Sequence, residues 1–199
     1  NEKIFALQFS EFMPNTLVTC NDEDFIEFGK NHQPFILKPL NGMGGESIYK
    51  FDQVTDEEIG IFQSLSKNNT HVMLQSFLPE IYDGDFRILI IHGEVCPIAL
   101  ARIPQEGSFK GNLAAGGKGI AKEISLQQKN VAKEIGKILI KNNIAFAGID
   151  MIGNHLTEIN VTSPTCIREI DTLNKVNISY IYWEEALRLR HHRANIFTS

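Results

Sequence analysis

The sequence predicts an α+β fold in which antiparallel strand pairs are combined with separate helices. Residues 147–152 are apolar apart from Asp150, residues 156–161 alternate between apolar and polar, and the turn GNH separates the two runs, an arrangement typical of a β-hairpin. The tetrapeptides TDEE at 55–58 and SLQQ at 125–128 are capping boxes, which mark the first turn of a helix. The length of 199 residues allows one large domain or two small lobes.

Helices are predicted where apolar residues recur at helical spacing or where a cap opens the segment. Phe5, Phe9 and Phe12 stand at i, i+4 and i+7, the spacing of one helix face. Asn21 can cap a second helix whose first turn is acidic. The predicted helices cover residues 1–12, 22–30, 55–67, 125–141 and a tail that begins at 177.

The predicted strands are short apolar runs bounded by turn residues. Pro39 ends one of them, because proline cannot donate to the middle of a sheet. Lys38 precedes it, and the glycine segment NGMGG at 41–45 follows. Glycine lets backbone N–H groups approach an anion closely, so this turn either lies over phosphates or is an ordinary turn. Besides the hairpin, the predicted strands cover residues 17–20, 34–39, 47–51, 71–77, 86–92 and 95–102.

Two carboxylates and a carboxamide are predicted on one face of the hairpin. Glu158 and Asn160 are two residues apart, so their side chains point to the same face of a strand. If the turn is three residues long, Asp150 lies opposite Glu158 on that face. Oxygen ligands of this kind suit Mg²⁺. A solvated strand face is the alternative, and three convergent groups favour the metal site.

Three further segments have the composition of anion sites. Arg87 and Arg102 lie at the far end of a hairpin predicted around Gly93, where two arginines either hold an anion or remain solvated. Residues 107–119 contain five glycines and two lysines, which favours a lid over anionic substrate rather than a linker. In the segment 162–168, threonine, serine and arginine side chains either bind a carboxylate or form a capped turn.

Composition argues against several classes of protein. A formal net charge of −5 without a basic patch argues against a nucleic-acid partner. Neither a signal peptide nor an apolar run of ~18 residues is present, which argues against a membrane partner. Three cysteines without metal-type spacing argue against a disulfide framework and fit a cytoplasmic protein, with Cys166 expected to be a buried thiol. The chain opens with Asn1 in mid-pattern, so we expect a segment of a longer protein.

Four longer segments resemble the bacterial glutathione synthetases, which belong to the ATP-grasp enzymes. They are ILKPLNGMGG, MLQSFLPEIYDGDFR, ALARIPQEGSFKGNLAAGGKG and LTEINVTSPTCIREID. The resemblance covers the chain from Asn1 to about Asp171 and implies an ATP-grasp fold, in which two α+β lobes hold a nucleotide between them. It implies a small lobe and hinge over 1–78, a large lobe with lid and metal hairpin over 79–175, and a helical tail over 176–199.

The resemblance also implies a role for each candidate residue. Phosphate contacts are assigned to Lys3, Lys38, Gly42, Gly44 and Gly45. Adenine and ribose contacts are assigned to Gln75, Ser76, Phe77, Leu78 and Asp85. Catalytic contacts to the phosphoryl group are assigned to Arg87, Arg102 and Lys110. Substrate contacts are assigned to Asn112, Thr162, Ser163 and Arg168. The implied metal ligands are Asp150, Glu158 and Asn160, the last of which also belongs to the nucleotide site.

The activity that the resemblance implies is an ATP-dependent ligation of γ-glutamylcysteine and glycine through an acyl-phosphate. It implies ATP and Mg²⁺, with Mn²⁺ as an alternative ion, and a homo-oligomer for the intact protein. Another amino-acid ligase of the same fold and a non-catalytic ATP-binding module are the alternatives. Ser76 and Phe77 replace the family's usual Asn-Tyr, and Lys110 replaces an arginine. Since the family's amino-terminal domain is missing, we expect the segment to bind MgADP without forming glutathione.

Overall fold

Two antiparallel sheets organise the chain. The structure, a computed structural model, describes residues 1–42, 47–113, 116–174 and 177–196. In these ranges the α-helices are α1 (Glu2–Ala6), α2 (Asp22–Asn31), α3 (Asp56–Leu65), α4 (Leu126–Lys141), α5 (Ile167–Asn174) and α6 (Ile178–Ile196). The strands are β1 (Thr16–Thr19), β2 (Phe35–Pro39), β3 (Tyr49–Phe51), β4 (Val72–Ser76), β5 (Asp85–Ile91), β6 (Glu94–Val95), β7 (Ile98–Ile103), β8 (Lys118–Glu123), β9 (Phe146–Ile152) and β10 (His155–Asn160).

The smaller sheet has the strand order β1-β4-β2-β3, and each neighbouring pair is antiparallel. Its strands contribute Phe35 and Phe51 to a core that α2 and α3 complete with Phe25 and Phe62. The rings of Phe25 and Phe62 stack with their centroids 4.5 Å apart. Burial of these rings holds the two helices on the sheet, since each aromatic side chain removes a large apolar area from water.

The larger sheet has the strand order β10-β9-β5-β7-β8, and β6 pairs with β5. Helix α4 packs on one face through Ile135 and Leu139, and Phe9 joins the same core from the N-terminal segment. The opposite face packs on Ile170 of α5 and Ile178 of α6. The N-terminal segment, which was predicted to belong to the small lobe over 1–78, packs on the larger sheet. The boundary between the two lobes at residue 78 stays a prediction.

Three helices begin at the residues that the sequence predicts, whereas the first helix is shorter than predicted. Asn21, Thr55 and Ser125 cap α2, α3 and α4, as predicted. The single helix predicted over residues 1–12 is wrong: α1 is followed by a 3₁₀ segment, Leu7–Phe12, in which the backbone of Phe9 leaves the helical region. The apolar spacing is real because these side chains face a core. No helix among the described residues is long and apolar enough to span a bilayer.

The sequence patterns do not predict β8 or α5. Strand β8 begins at Lys118, so the glycine-rich connection ends earlier than the predicted boundary at Gly119. Its residues are mostly exposed and carry several charges, which gives a weak strand signal. Helix α5 follows Cys166, whose φ of 87° is rare for a residue other than glycine.

The hairpin β9–β10 brings Asp150 opposite Glu158, as predicted, but by a different route. Strand β9 ends at Ile152 and β10 begins at His155, so the turn has two residues instead of the predicted three. Such a turn alone would set Thr157 opposite Asp150. A β-bulge at Thr157 shifts the register by one residue and returns Glu158 to that position.

Candidate active site

Two adjoining cavities lie between the sheets. The first combines apolar side chains, including Ile36, with polar ones, and it includes the segment 75–78 at the end of β4. The second is lined by charged side chains from the larger sheet and α1, by hydroxyl side chains that follow β10, and by the residues that follow β2. Asn112, Asp150 and Glu158 line both cavities, so the two meet there. An apolar cavity with a few convergent polar groups is the usual form of a ligand site.

Four buried charges form a cluster at this junction. Arg87 donates to both carboxylate oxygens of Asp150, with Nη2 2.9 Å from Oδ2. Arg102 Nη2 lies 3.0 Å from Asp150 Oδ2 and 2.5 Å from Asp85 Oδ2. The register explains this arrangement, because Arg87 pairs with Asp150 and Arg102 with Asp85 across neighbouring strands. The side chains of Arg87 and Arg102 are 7% and 5% exposed, which excludes the solvated alternative.

Two glycines allow the chain to approach this cluster closely. A Cβ atom at Gly148 would lie 2.9 Å from Cδ of Arg87. A Cβ atom at Gly111 would lie 2.6 Å from the backbone oxygen of Arg102. Both distances are shorter than ordinary van der Waals contact, so a larger residue at either position would displace an arginine of the cluster.

The two carboxylates of the cluster have opposite pKa shifts. Burial raises the pKa of Asp85 above its ordinary value, and the charge of Asp150 adds to this effect while Arg102 opposes it. Burial also acts to raise the pKa of Asp150, but Arg102 and Arg87 together hold that pKa below its ordinary value. Among the described residues, no group hydrogen-bonds to the buried Oδ1 of Asp85, which lines the first cavity. Asp85 is therefore an acceptor available to a hydroxyl donor.

An Asp85→Asn variant is expected to be more stable than the parent chain at pH 8. The pKa of Asp85 is raised from 3.8 to about 6, so the folded state loses stability as pH rises from about 4 to about 6, and the loss is complete above that range. Asparagine keeps the shape and an acceptor for Arg102 but carries no charge. We expect a gain of about 1–3 kcal/mol at pH 8 that disappears below about pH 4, where the carboxyl is protonated in both states.

Urea unfolding at a series of pH values measures this gain. The matched control is Asp83→Asn, which removes an exposed acid two residues away and should change stability by less than about 0.5 kcal/mol. A loss of stability in Asp85→Asn at pH 8 would contradict the expectation. A gain would indicate that Asp85 is retained for the site and not for the fold.

Two lysines face Glu158 from the other side of the junction. Lys38 on β2 is 8% exposed, and its Nζ donates to the backbone oxygen of Thr157 at 3.2 Å. Burial lowers the pKa of Lys38, and the charge of Glu158 opposes that effect. Lys3 Nζ lies 3.2 Å from Oε1 of Glu158 and donates to the backbone oxygen of Gly42 at 2.7 Å. The two ammonium groups therefore surround a position that suits negative charge.

The hairpin oxygens fit a hard divalent cation, although they are not equally available. Asp150 uses both carboxylate oxygens for arginines, whereas the side chain of Glu158 is 29% exposed and pairs with Lys3. The buried Nδ2 of Asn160 has no partner among the described residues, so the amide can turn its oxygen toward a ligand. Within the described part of the chain, no three His, Cys, Asp or Glu side chains could hold a metal. Any site here therefore needs the carboxamide of Asn160 or oxygens from a bound molecule.

The structure brings most of the predicted residues to the two cavities. The first is lined by Lys38, Gln75, Ser76, Phe77, Leu78, Asp85, Lys110, Asn112, Asp150 and Glu158. The second is lined by Lys3, Gly42, Arg87, Arg102, Asn112, Asp150, Glu158, Asn160, Thr162 and Ser163. Arg168 is exposed on α5 and is not among the residues that line either cavity. Gly44 and Gly45 lie outside the described residues, so the structure does not place them.

Three residues near the cavities were missed by the sequence patterns. Glu2 accepts hydrogen bonds from the backbone N–H and the hydroxyl of Thr162, so Thr162 is less free to bind substrate than predicted. Thr157 forms the bulge, which no local pattern reveals. Phe109 lines the first cavity with its ring centroid 6.5 Å from that of Phe77. A lone aromatic residue in a glycine-rich segment is the signal that could have found it.

The chain has the ATP-grasp fold, which is the fold of a class of ligases that use ATP and a divalent metal. Among solved structures, the chain is similar to the D-alanine–D-alanine ligase from Bacillus anthracis, with a TM-score of 0.62 and 16% identity, over 96% of this chain and 69% of that chain. It is also similar to the ATP-grasp ligase PsnB complexed with a phosphomimetic variant of its minimal precursor, Mg and ADP. There the TM-score is 0.63 and the identity 20%, over 89% of this chain and 54% of that chain. These likenesses confirm the predicted α+β ATP-grasp fold.

Within that class the chain belongs to the prokaryotic glutathione synthetases, because residues 2–175 match the ATP-grasp domain of that family. It is 48% identical to the glutathione synthetase of Pseudomonas aeruginosa over 172 residues, which are 86% of this chain and 54% of that protein. The identity to the enzyme of Nitrosomonas europaea is 48% over 181 residues, or 90% of this chain and 56% of that protein. The predicted resemblance is confirmed, and the chain spans about half the length of these curated relatives.

Proposed function

We propose that this chain is the nucleotide-binding part of an ATP-dependent glutathione synthetase. The observation that carries the proposal is the meeting of an apolar and a charged cavity at Asn112, Asp150 and Glu158. The apolar cavity suits a purine base, and the charged cavity suits phosphates and a carboxylate substrate. Membership of the family supports γ-glutamylcysteine as the acid and glycine as the amine.

The nucleotide would lie across both cavities. Its base would rest against the segment 75–78, and the open acceptor of Asp85 would receive a ribose hydroxyl. Its phosphates would reach the ammonium groups of Lys3 and Lys38 and the backbone near Gly42. Burial that lowers the pKa of Lys38 also makes its ammonium group a stronger partner for an anion, because little water screens it.

Glu158 and Asn160 would hold Mg²⁺, or Mn²⁺ in its place, together with Asp150. When bound, the metal offsets the negative charge of the phosphates. Asp150 is engaged by Arg87 and Arg102, so a rearrangement of this cluster would accompany its use as a ligand. Glu158 needs a smaller change, since Lys3 at 3.2 Å can move toward the phosphates.

The residues of the junction suit phosphoryl transfer followed by amide formation. The carboxylate of γ-glutamylcysteine would take the terminal phosphoryl group of ATP, and the glycine amine would then displace phosphate to give glutathione. The buried guanidinium groups of Arg87 and Arg102 would stabilise the negative charge that gathers during both steps. No protein nucleophile is needed, which agrees with Cys166, a 4% exposed residue whose thiol pKa is raised by burial.

The glycine-rich connection after β7 would act as a lid over the reacting groups. Phe109 and Lys110 line the apolar cavity, and Asn112 reaches both cavities, so the lid would exclude water from the acyl-phosphate. Asn112 and Ser163 are the best placed of the proposed substrate ligands. Thr162 is held by Glu2, and Arg168 keeps its proposed role without support from the described cavities.

The proposal includes a cytoplasmic, homo-oligomeric parent protein. Cys20, Cys96 and Cys166 are all free thiols, which suits a reducing compartment. Tyr180 and Trp183 on α6 are 57% and 63% exposed, and apolar surface of this kind is typical of an interface.

A chimera tests the proposed function. This chain would replace the matching segment of the Pseudomonas aeruginosa enzyme, to which it is 48% identical. With MgATP, γ-glutamylcysteine and glycine, the chimera is expected to form glutathione, detected by mass spectrometry, with release of an equal amount of phosphate. Omission of either substrate should prevent glutathione formation.

The control is the same chimera carrying Glu158→Gln, which should fold equally well and lose most of the activity. A folded parent chimera that makes no glutathione but releases phosphate with other amino acids would contradict the proposal. That outcome would indicate another ATP-grasp amino-acid ligase.

A further inference from the structure

Glu2, in the first turn of α1, is held by a segment far away in the sequence. Its Oε1 accepts hydrogen bonds from the backbone N–H of Val161 at 2.6 Å, from the backbone N–H of Thr162 at 2.8 Å and from the Thr162 hydroxyl at 3.0 Å. These three donors directly follow Asn160, the last residue of β10. Although burial alone acts to raise it, hydrogen bonds from Thr162 and Val161 hold the pKa of Glu2 below its ordinary value. Glu2 is therefore a carboxylate anchored on the end of the acid hairpin.

Lys3, the next residue, makes a second set of contacts from the same turn. Its Nζ lies 3.2 Å from Oε1 of Glu158. The same nitrogen donates to the backbone oxygens of Gly42 at 2.7 Å and of Leu40 at 3.4 Å. The side chain of Lys3 is 10% exposed, so it lies buried between the backbone that follows β2 and the hairpin of the larger sheet.

Glu2 and Lys3 thus act together to fix the position of the Lys3 ammonium group. Lys3 alone has a long flexible stem, and its ammonium group could take several positions around the junction. Glu2 restricts the position of the Lys3 backbone, because it attaches the first turn of α1 to the residues that follow Asn160. A charged group held in place before a ligand arrives loses less conformational entropy when it binds.

We propose that Glu2 is a positioning residue that sets Lys3 and the end of the acid hairpin at a defined separation for the phosphate end of a nucleoside diphosphate or triphosphate. The proposal rests on the proposed function, since it takes the second cavity to be the phosphate site. It adds a residue that touches neither the base nor the ribose. Its effect is therefore confined to ligands that carry phosphates.

Binding of ADP and of adenosine to the 199-residue chain distinguishes this role from general stability. In Glu2→Ala, calorimetry should show MgADP binding weakened about tenfold, the scale of one or two lost hydrogen bonds to a charged group. Adenosine binding should change less than about twofold, because Glu2 and Lys3 line the second cavity and not the first. Glu2→Gln keeps an oxygen that can accept the same hydrogen bonds, so its MgADP affinity should lie within about threefold of the parent.

Amide hydrogen exchange gives a readout that does not depend on ligand. Exchange at the amides of Val161 and Thr162 should be about tenfold faster in Glu2→Ala than in the parent chain. The matched control is Glu11→Ala, which removes an exposed acid from the same N-terminal segment and should leave both the exchange and the affinities unchanged.

The outcomes separate the failure of this inference from the failure of the proposed function. A parent chain that binds no MgADP would overturn the proposed function and this inference with it. A parent chain that binds, with Glu2→Ala unchanged for MgADP or weakened equally for ADP and adenosine, would overturn the positioning role alone. Should Glu2→Ala not fold, Thr162→Val removes one of the three donors, and an unchanged MgADP affinity in that variant would also overturn it.

Discussion

An Asp150→Asn variant is expected to lose about 3–5 kcal/mol of unfolding free energy at pH 7. Asp150 is 3% exposed, and its carboxylate is the shared partner of Arg87 and Arg102. Asparagine fills nearly the same volume, so the packing stays, but two buried guanidinium groups lose their shared counter-charge. Asp85, 2.5 Å from Arg102, cannot neutralise both of them.

Urea unfolding of the 199-residue chain measures this loss. The matched control is Glu134→Gln, which breaks an exposed ion pair with Lys137 at 2.6 Å and should cost less than about 0.5 kcal/mol. Adding Arg87→Met to Asp150→Asn should restore part of the stability, because it removes one of the uncompensated charges. Equal stability of the Asp150→Asn and Glu134→Gln variants would contradict the expected role of the cluster.

The Asp150 effect should also depend on pH in a defined direction. Although burial alone acts to raise it, Arg102 and Arg87 lower the pKa of Asp150 from 3.8 to about 2. A lowered folded-state pKa contributes stability that is present above the unfolded pKa and is lost as pH falls through the folded value. The difference between the parent and Asp150→Asn should therefore be full at pH 7 and shrink from about pH 4 to about pH 2. A difference that grows on acidification would show that another group dominates.

A Glu158→Gln variant is expected to bind MgADP about 100-fold more weakly than the parent chain. Glu158 lines both cavities, and its side chain is 29% exposed at their junction. Glutamine keeps the size of the side chain and one oxygen but removes the charge that would face the metal. When a chelator removes the metal, the ADP affinities of the variant and the parent chain should differ by less than about threefold, because the lost carboxylate also repelled phosphates.

Calorimetry with and without divalent metal tests this expectation, and parallel titrations with Mg²⁺ and Mn²⁺ compare the two ions. Glu134→Gln again serves as the control, since it removes an acid remote from both cavities. A weakening of ADP binding that is the same with and without metal would assign Glu158 a role in holding Lys3, 3.2 Å away, instead of a role as a metal ligand.

Much of this protein could be predicted because many of its features depend on neighbours in the chain. Asn21, Thr55 and Ser125 cap helices with their own side chains, a contact that spans two or three residues and is visible in the sequence. The alternation of strand residues likewise set Glu158 and Asn160 on one face. The resemblance of four longer segments to a known family predicted the family and its ATP-grasp fold.

Other features depend on contacts between distant parts of the chain. The pairing of Asp150 with Glu158 was predicted, yet it is achieved by a bulge at Thr157 that also brings this backbone to Lys38, 119 residues away. Strand β8 was missed because its exposed, charged residues are held by pairing with β7 and not by a pattern of their own.

The sequence by itself determined most of the strands and helices, though not β8 or α5, together with the two glycine-rich segments and the residue types at the junction, since local propensity and spacing govern these. Only the tertiary structure decided which charges meet. It set Arg87 and Arg102 on Asp150 and left Glu158 the more exposed acid. It also joined Glu2 to Thr162, 160 residues away. Burial and strand register act between distant segments, and they change both the partners and the pKa values of charged groups that look alike in the sequence.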